Sequence, residues 1–445
     1  MAEFRTRRLF GRHYSGFASY VTFLPMAKSI DLPAHRFEQI PALLLGGVNL
    51  VRALGLAGIP VIVASPDEHE PAFASRYCLG RCVLPPLSRV DAAVDAIVMI
   101  GEHLAMLHGR RIPLFYGNDD FLKLIYAHRE RLERHFLVLL NSPRVSEAML
   151  TKDGFQAFAH EVGLPVPAAL SWDGTGAASV ASFPGPVLVK PSNKDGWSDS
   201  PLRKRAFGKA KALVFPTGAD AAADPVLALY RGQLTCQQYV CGDDSANWSF
   251  HAFADSKGHV LQCFTGRKIR TFPPDTGESA YIELAENEDL RILGARLASC
   301  IPLRGIFKMD FKKDARTGRW YLLEVNARFN LWQYLGAANG VNLMRAAYDF
   351  LLEGQQPHSE PVRNEVRWLS FELDARAFRA LHAEGRLGAL RWIASLLDAR
   401  KVYNLYAWND PLPWLSFWSH RLLRMTTRAP VKLLTCFRQW LSTAS

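Results

Sequence analysis

A glutamate, an asparagine and an arginine stand two residues apart in Trp320-Tyr-Leu-Leu-Glu-Val-Asn-Ala-Arg. Residues Trp320 to Val325 read as a strand, and side chains along a strand alternate faces. Glu324, Asn326 and Arg328 therefore share one face wherever the strand runs that far. Upstream, Gly305-Ile-Phe-Lys-Met-Asp-Phe is a second strand candidate, and the polar stretch Asp314 to Gly318 makes the pair a hairpin. Across that hairpin Asp310 can sit beside Glu324. Ile306, Phe307, Phe311, Tyr321, Leu322 and Leu323 give the two carboxylates an apolar setting, in which acids need partners or a cation. Two carboxylates and an amide oxygen are hard ligands that suit Mg²⁺, with Mn²⁺ as a substitute, and leave positions for phosphate oxygens.

Other elements must then bring cations to the phosphates. Ser146 to His160 reads as a helix carrying Lys152, and Val162-Gly-Leu-Pro-Val-Pro stops it. Pro186-Val-Leu-Val-Lys-Pro is a short buried strand ending in Lys190. Lysines arriving from two separate elements can flank a triphosphate as compact point charges. The loop Ser192 to Ser200 suits a phosphate lid; it has one glycine, Gly196, before Gly208, with Lys194, Arg203, Lys204 and Arg205 adding charge. In Leu234 to Gly242, Gln237, Gln238 and Val240 offer groups for a base, with Asp243 and Asp244 near a ribose. In Thr265-Gly-Arg-Lys-Ile-Arg, Lys268 is the phosphate candidate, and the forks of Arg267 and Arg270 suit a carboxylate or an acyl phosphate. A turn-rich loop, Pro273 to Ala280, follows.

In this order the segments resemble the ATP-grasp superfamily: a Lys-Asp helix, a Gly-x-Pro-x-Pro turn, a strand ending Lys-Pro, then the acidic hairpin with Glu-x-Asn. The Arg-Lys-x-Arg run followed by Pro-Pro and Thr-Gly resembles its carboxylate–amine ligase branch, which includes D-aspartate ligase. The resemblance covers about 41–354. It implies ATP and Mg²⁺ as cofactors, with Asp310, Glu324 and Asn326 holding metal. Lys152, Lys190, Gln237, Gln238 and Val240 would hold the nucleotide. Arg328, Arg267 and Lys268 would act at the acyl phosphate and its attacking group. The implied activity joins a small-molecule carboxylate to an amine. The alternative is an ATP-binding regulatory or membrane-surface scaffold protein with little turnover.

The fold class that follows is α/β (α+β). Pro41-Ala-Leu-Leu-Leu-Gly-Gly, a helical pattern and Pro60-Val-Ile-Val-Ala-Ser form a βαβ unit. Its Gly46-Gly47 lacks the G-x-G-x-x-G spacing of a dinucleotide site. The expected layout is an irregular segment over 1–38 and a pre-ATP-grasp α/β domain over 39–140. A two-part ATP-grasp domain over 141–355 and a helical, basic C-terminal extension over 356–445 complete it.

With 445 residues, 49% hydrophobic and 21% charged, the chain can form two or three cored subdomains. Seven cysteines without a paired CxxC arrangement read as reduced cytoplasmic thiols. No apolar run is long enough to span a bilayer, and the arginine-rich start lacks the apolar stretch of a secretory signal. A net charge of +11 suits an anionic substrate or membrane surface; no nucleic-acid motif accompanies it, so no nucleic-acid partner is expected. From Pro411 to Ser445 there is no Asp or Glu. Trp414, Phe417, Trp418, Leu422 and Met425 fall on one helical face, which suits peripheral contact with the inner face of a membrane or packing on protein. Oligomeric state is not legible.

Overall fold

The structure is a computed structural model that describes residues 5–8, 19–22, 29–172, 177–192, 205, 212–230, 232–355, 357 and 362–423. Two compact units emerge: Met1–Leu137 with Leu405–Ser445, and Val138–Asn404.

In the first unit the apolar runs become parallel strands, Ala42–Leu45 between Val61–Ser65 and Ile112–Tyr116, buried at every residue. Continuous burial is the mark of a parallel sheet covered on both faces. The stretch expected to be irregular over 1–38 instead adds strands Arg5–Arg8, Ser19–Thr22 and Ser29–Pro33 to one edge. Ile30 and Leu32 are fully buried there. A five-residue alternation ending in proline is too short a pattern to announce a strand.

The stretch after 356 is also divided differently from the expected single extension. Two of its strands, Val366–Leu369 and Arg400–Tyr403, complete a sheet of the second unit, while residues from Leu405 onward belong to the first. Asp410 ties that segment down. It accepts from Arg52 Nε (2.9 Å), Ser75 Oγ (2.8 Å) and the Arg76 backbone N–H (2.8 Å), and Arg52 and Asp410 are each 1% exposed.

The second unit carries the site on one large sheet. Its strands are β1 (Asn247–Ala254), β2 (Val260–Phe272), β3 (Glu278–Leu284), β4 (Gly305–Lys313), β5 (Trp320–Asn326), β6 (Val366–Leu369) and β7 (Arg400–Tyr403). Their order is β5-β4-β1-β2-β3-β6-β7, antiparallel except for β6 on β7. One face packs Phe250, Ala252, Phe307, Met309, Phe311, Leu322 and Val325 against the helices Lys152–Glu161 and Glu288–Cys300. A smaller antiparallel sheet holds Val187–Pro191 beside Leu234–Gln238, over a core of Trp172, Val187, Val189, Leu234 and Cys236.

Candidate active site

The β4–β5 hairpin forms as its turn residues dictate. Asp314 accepts from the backbone N–H groups of Arg316 (2.9 Å) and Thr317 (3.1 Å), and Gly318 supplies φ +68°. Asp310 pairs with Glu324 and Lys308 with Asn326. The register then slips, so that Phe311 faces Leu322. This bulge keeps Phe311 and Leu322 in the core while Asp310 and Glu324 stay level on the opposite face. The strand ends at Asn326; Arg328 lies in the bend beyond it and still donates to Asn326 Oδ1 at 3.4 Å.

Strand alternation extends this face across the sheet. Ser249 and His251 lie on it from β1, Gly266 and Lys268 from β2, Lys308, Asp310 and Lys312 from β4. The Asp310 carboxylate, 14% exposed, accepts from Ser249 Oγ (2.6 Å) and pairs with Lys308 Nζ (2.8 Å). Burial raises its pKa, but Lys308 and Lys268 outweigh burial and hold it at about 2. Desolvation lowers the pKa of Lys268, against the pull of Asp310. Lys312 is buried under Tyr239, its Nζ 5.0 Å from the ring centre, and burial lowers its pKa also.

The floor of the face is aromatic. Trp332, whose helix is Trp332–Ala338, lies against Gly266, where a Cβ would come within 2.5 Å of the indole. Fully buried His251 is sandwiched between Phe264 (4.6 Å) and Trp332 (4.9 Å), and burial drives its pKa far down. Neither its ring nitrogens nor the side-chain amide of buried Gln333 has a protein hydrogen-bond partner. Lys308 Nζ stands 5.8 Å from the Trp332 ring centre.

The donor set fits a metal–nucleotide better than a bare ion. Among the described residues no three His, Cys, Asp or Glu side chains cluster as a metal cage. A divalent cation here would have Asp310, Glu324 and Asn326 from the protein, and would draw its other oxygens from ligand phosphates and water, as Mg²⁺ does.

On the smaller sheet, Lys190 Nζ donates to Gln237 Oε1 at 2.8 Å, on the face away from Val187, Val189 and Cys236. Gln238 reaches the hairpin, its Nε2 3.4 Å from the Tyr321 hydroxyl, and its backbone N–H donates to Ala168 O. Val240 is buried just beyond. Lys152 opens its helix at a Thr151 cap, but its side chain lies outside the described residues. The lid candidates Lys194, Arg203 and Lys204 also lie outside them.

Three expectations change. Arg267 is not brought to the carboxylates. It falls on the other face of β2, with its guanidinium 5.9 Å from the Trp248 ring centre and Nε 2.6 Å from Glu283. Adjacent residues on a strand cannot both face the same site, and here Lys268 does. Arg270 is committed to a buried bidentate pair with Asp374, at 2.6 and 3.1 Å. Asp244 is a clamp, accepting from the Thr271 hydroxyl and backbone N–H and the Asp275 N–H, while Asp243 caps Ser245. Sequence reasoning missed Lys308, Lys312, Ser249 and His251. The signal for the first two was in hand, since each lies two residues from Asp310 on one strand.

No protein-family profile matches the chain. A D-aspartate ligase of Enterococcus faecium (strain Aus0004) is 22% identical over 324 residues, covering 69% of this chain and 75% of that one. Among solved structures, N5-carboxyaminoimidazole synthetase from Staphylococcus aureus complexed with ADP superposes with a TM-score of 0.52. It is 11% identical and is matched over 73% of this chain and 79% of its own. The biotin carboxylase domain of Hydrogenobacter thermophilus 2-oxoglutarate carboxylase, with MgADP, ADP and bicarbonate, gives 0.50 at 15% identity, over 74% and 73%. The acidic hairpin, the two-sheet layout and these likenesses agree on an ATP-grasp fold for the chain.

Proposed function

We propose that this chain is an ATP-dependent carboxylate–amine ligase acting in the cytoplasm. One observation carries the reading. Asp310, Glu324 and Asn326 share a sheet face with Lys308 and Lys268, so that two carboxylates and two ammonium groups converge on one spot. That mixture suits a Mg-triphosphate, whose metal takes the carboxylates and whose phosphates take the lysines. The match to a D-aspartate ligase supports the reaction class.

Bound Mg-ATP supplies the phosphoryl group and neutralises its charge. A substrate carboxylate oxygen attacks the γ-phosphorus, ADP leaves, and an acyl phosphate forms. The amine nitrogen then attacks the acyl carbon, inorganic phosphate leaves with the bonding pair, and the nitrogen loses a proton. The protein's part is positioning and fixed charge. Lys190, with Gln237 beside it, steadies the phosphates, Gln238 and Val240 line the base, and Lys268 and Lys308 face the transferred group. Arg328, beside Asn326, holds the acyl phosphate or the incoming carboxylate.

The test is ADP release by purified protein with Mg²⁺, against pools of carboxylates and amines that include D-aspartate. Substrate-dependent ADP release is expected, falling on the order of 10²-fold or more in Glu324→Ala, with the melting midpoint unchanged because Glu324 is exposed. Mg-ATP binding with no turnover in any pool would replace the ligase by a nucleotide-binding regulator. Absence of ATP binding would overturn the reading altogether.

A further inference from the structure

The last described helix, 412–423, lies on the first unit with one stripe turned inward. Pro413 is buried, Ser416, Phe417 and His420 are half-buried, and the His420 ring stacks on His69 at 4.0 Å. These positions are i, i+3, i+4 and i+7. A surface helix normally turns polar groups outward opposite such a stripe. This one turns out Leu412, Leu415, Trp418 and Leu422, 36–58% exposed, and Trp408 just before it is 88% exposed. The presentation is rigid. Asp410, between Trp408 and the helix, is locked to Arg52, Ser75 and Arg76. The Tyr406 ring contacts both Trp408 (5.2 Å) and Trp414 (6.0 Å).

Charge selects the occupant. Between Pro411 and Ser445 the sequence holds Arg421, Arg424, Arg428, Lys432 and Arg438 and no carboxylate. Arg421 lies on the exposed side, 5.3 Å from the Trp418 ring centre. A second copy of this face would bring arginine against arginine with no acid to answer it. An anionic bilayer supplies phosphates for the arginines, acyl chains for the leucines, and the boundary layer in which tryptophan is favoured. No helix among the described residues is long and apolar enough to cross a membrane, which leaves contact in the plane of the interface.

We propose that Trp408 and the outer face of 412–423 form a peripheral docking surface for anionic lipid. Leu412, Leu415, Trp418 and Leu422 enter the headgroup–acyl boundary, and Arg421 meets the phosphates. This goes beyond the ligase reading and is tested without nucleotide, so either can fail alone. The full chain is floated with vesicles of phosphatidylglycerol mixed with phosphatidylcholine, and with phosphatidylcholine alone. Co-flotation with the anionic vesicles is expected, weakened by salt. Trp408→Ser with Leu415→Ser should weaken it at least about tenfold, and Arg421→Ser about fivefold, with unchanged melting midpoints. No flotation, or flotation indifferent to these substitutions, would overturn the proposal. So would a dimer in sedimentation velocity that Trp408→Ser with Leu415→Ser dissociates, which would assign the face to a second copy.

Discussion

Lys308→Met tests the electrostatic heart of the site. The Asp310 carboxyl falls from 3.8 to about 2 in the fold, although burial alone pushes it the other way. That shift is worth on the order of 2 kcal/mol of preference for the folded carboxylate at ~1.36 kcal/mol per pH unit. Lys308 touches Asp310 at 2.8 Å, with both side chains mostly buried, so its share of that preference is the larger. Removing the ammonium strands the carboxylate against Ser249 and the more distant pull of Lys268. At pH 7 the substitution should cost about 2–3 kcal/mol in urea unfolding. In a cycle with Asp310→Asn the two losses should overlap by about 2 kcal/mol. The pH dependence follows from the sign. A carboxyl depressed in the fold contributes fully above its unfolded pKa, and the contribution is lost as pH falls through the folded one. The stabilisation is therefore complete above roughly pH 5, about half gone near pH 3 and nearly absent at pH 2. The gap between wild type and Lys308→Met should narrow along that course. A coupling under about 0.5 kcal/mol, or a gap unchanged between pH 7 and pH 3, would refute the Lys308–Asp310 arrangement.

Further substitutions probe the sheet. Lys268→Met should lower kcat/KM for ATP turnover roughly 10²-fold. Its neighbour Arg267→Ala should change it less than about threefold and cost under about 1 kcal/mol, because Arg267 is 43% exposed and pairs with Glu283 on the other face. Equal kinetic losses for the two would contradict the face assignment. Arg270→Ala should cost about 3–5 kcal/mol by leaving the buried Asp374 charge with the Trp392 Nε1 hydrogen bond but no cation, lowering the calorimetric midpoint by about 10 °C. Adding Asp374→Leu should recover part of that loss, and a midpoint indifferent to Arg270→Ala would remove the pair from the stabilising core.

Local pattern made much of the site legible. Period two put Glu324 and Asn326 on one face, the Asp314–Gly318 turn paired β4 with β5, and Asp310 landed opposite Glu324. The same rule, carried one step either way from Asp310, reaches Lys308 and Lys312. Arginine chemistry alone misleads here: Arg267 and Lys268 are adjacent, so only one can face the carboxylates. Arg270 was beyond local reasoning. Its partner Asp374 is 104 residues away, on a helix that no local pattern places against β2. The bulge was equally hidden, since it exists only in the pairing of Asp310 and Phe311 with a second strand.

The tail shows where a sequence pattern stops short. Aromatic and aliphatic spacing after Pro411 was readable as an amphipathic helix, but period alone cannot say which stripe meets the protein. Both a stripe through Pro413, Phe417 and His420 and one through Leu415, Trp418 and Leu422 satisfy it. The choice is made by contacts more than 300 residues apart in sequence, where Arg52, Ser75 and Arg76 converge on Asp410. Once Asp410 is fixed, His420 meets His69, and the leucines and tryptophans have nowhere to go but outward. The apolar face is thus imposed by a buried polar lock rather than by a lack of polar residues to cover it. A helix held that way retains its exposed tryptophans whether or not lipid is present, and this rigidity is what would let it bind without the cost of folding on the membrane.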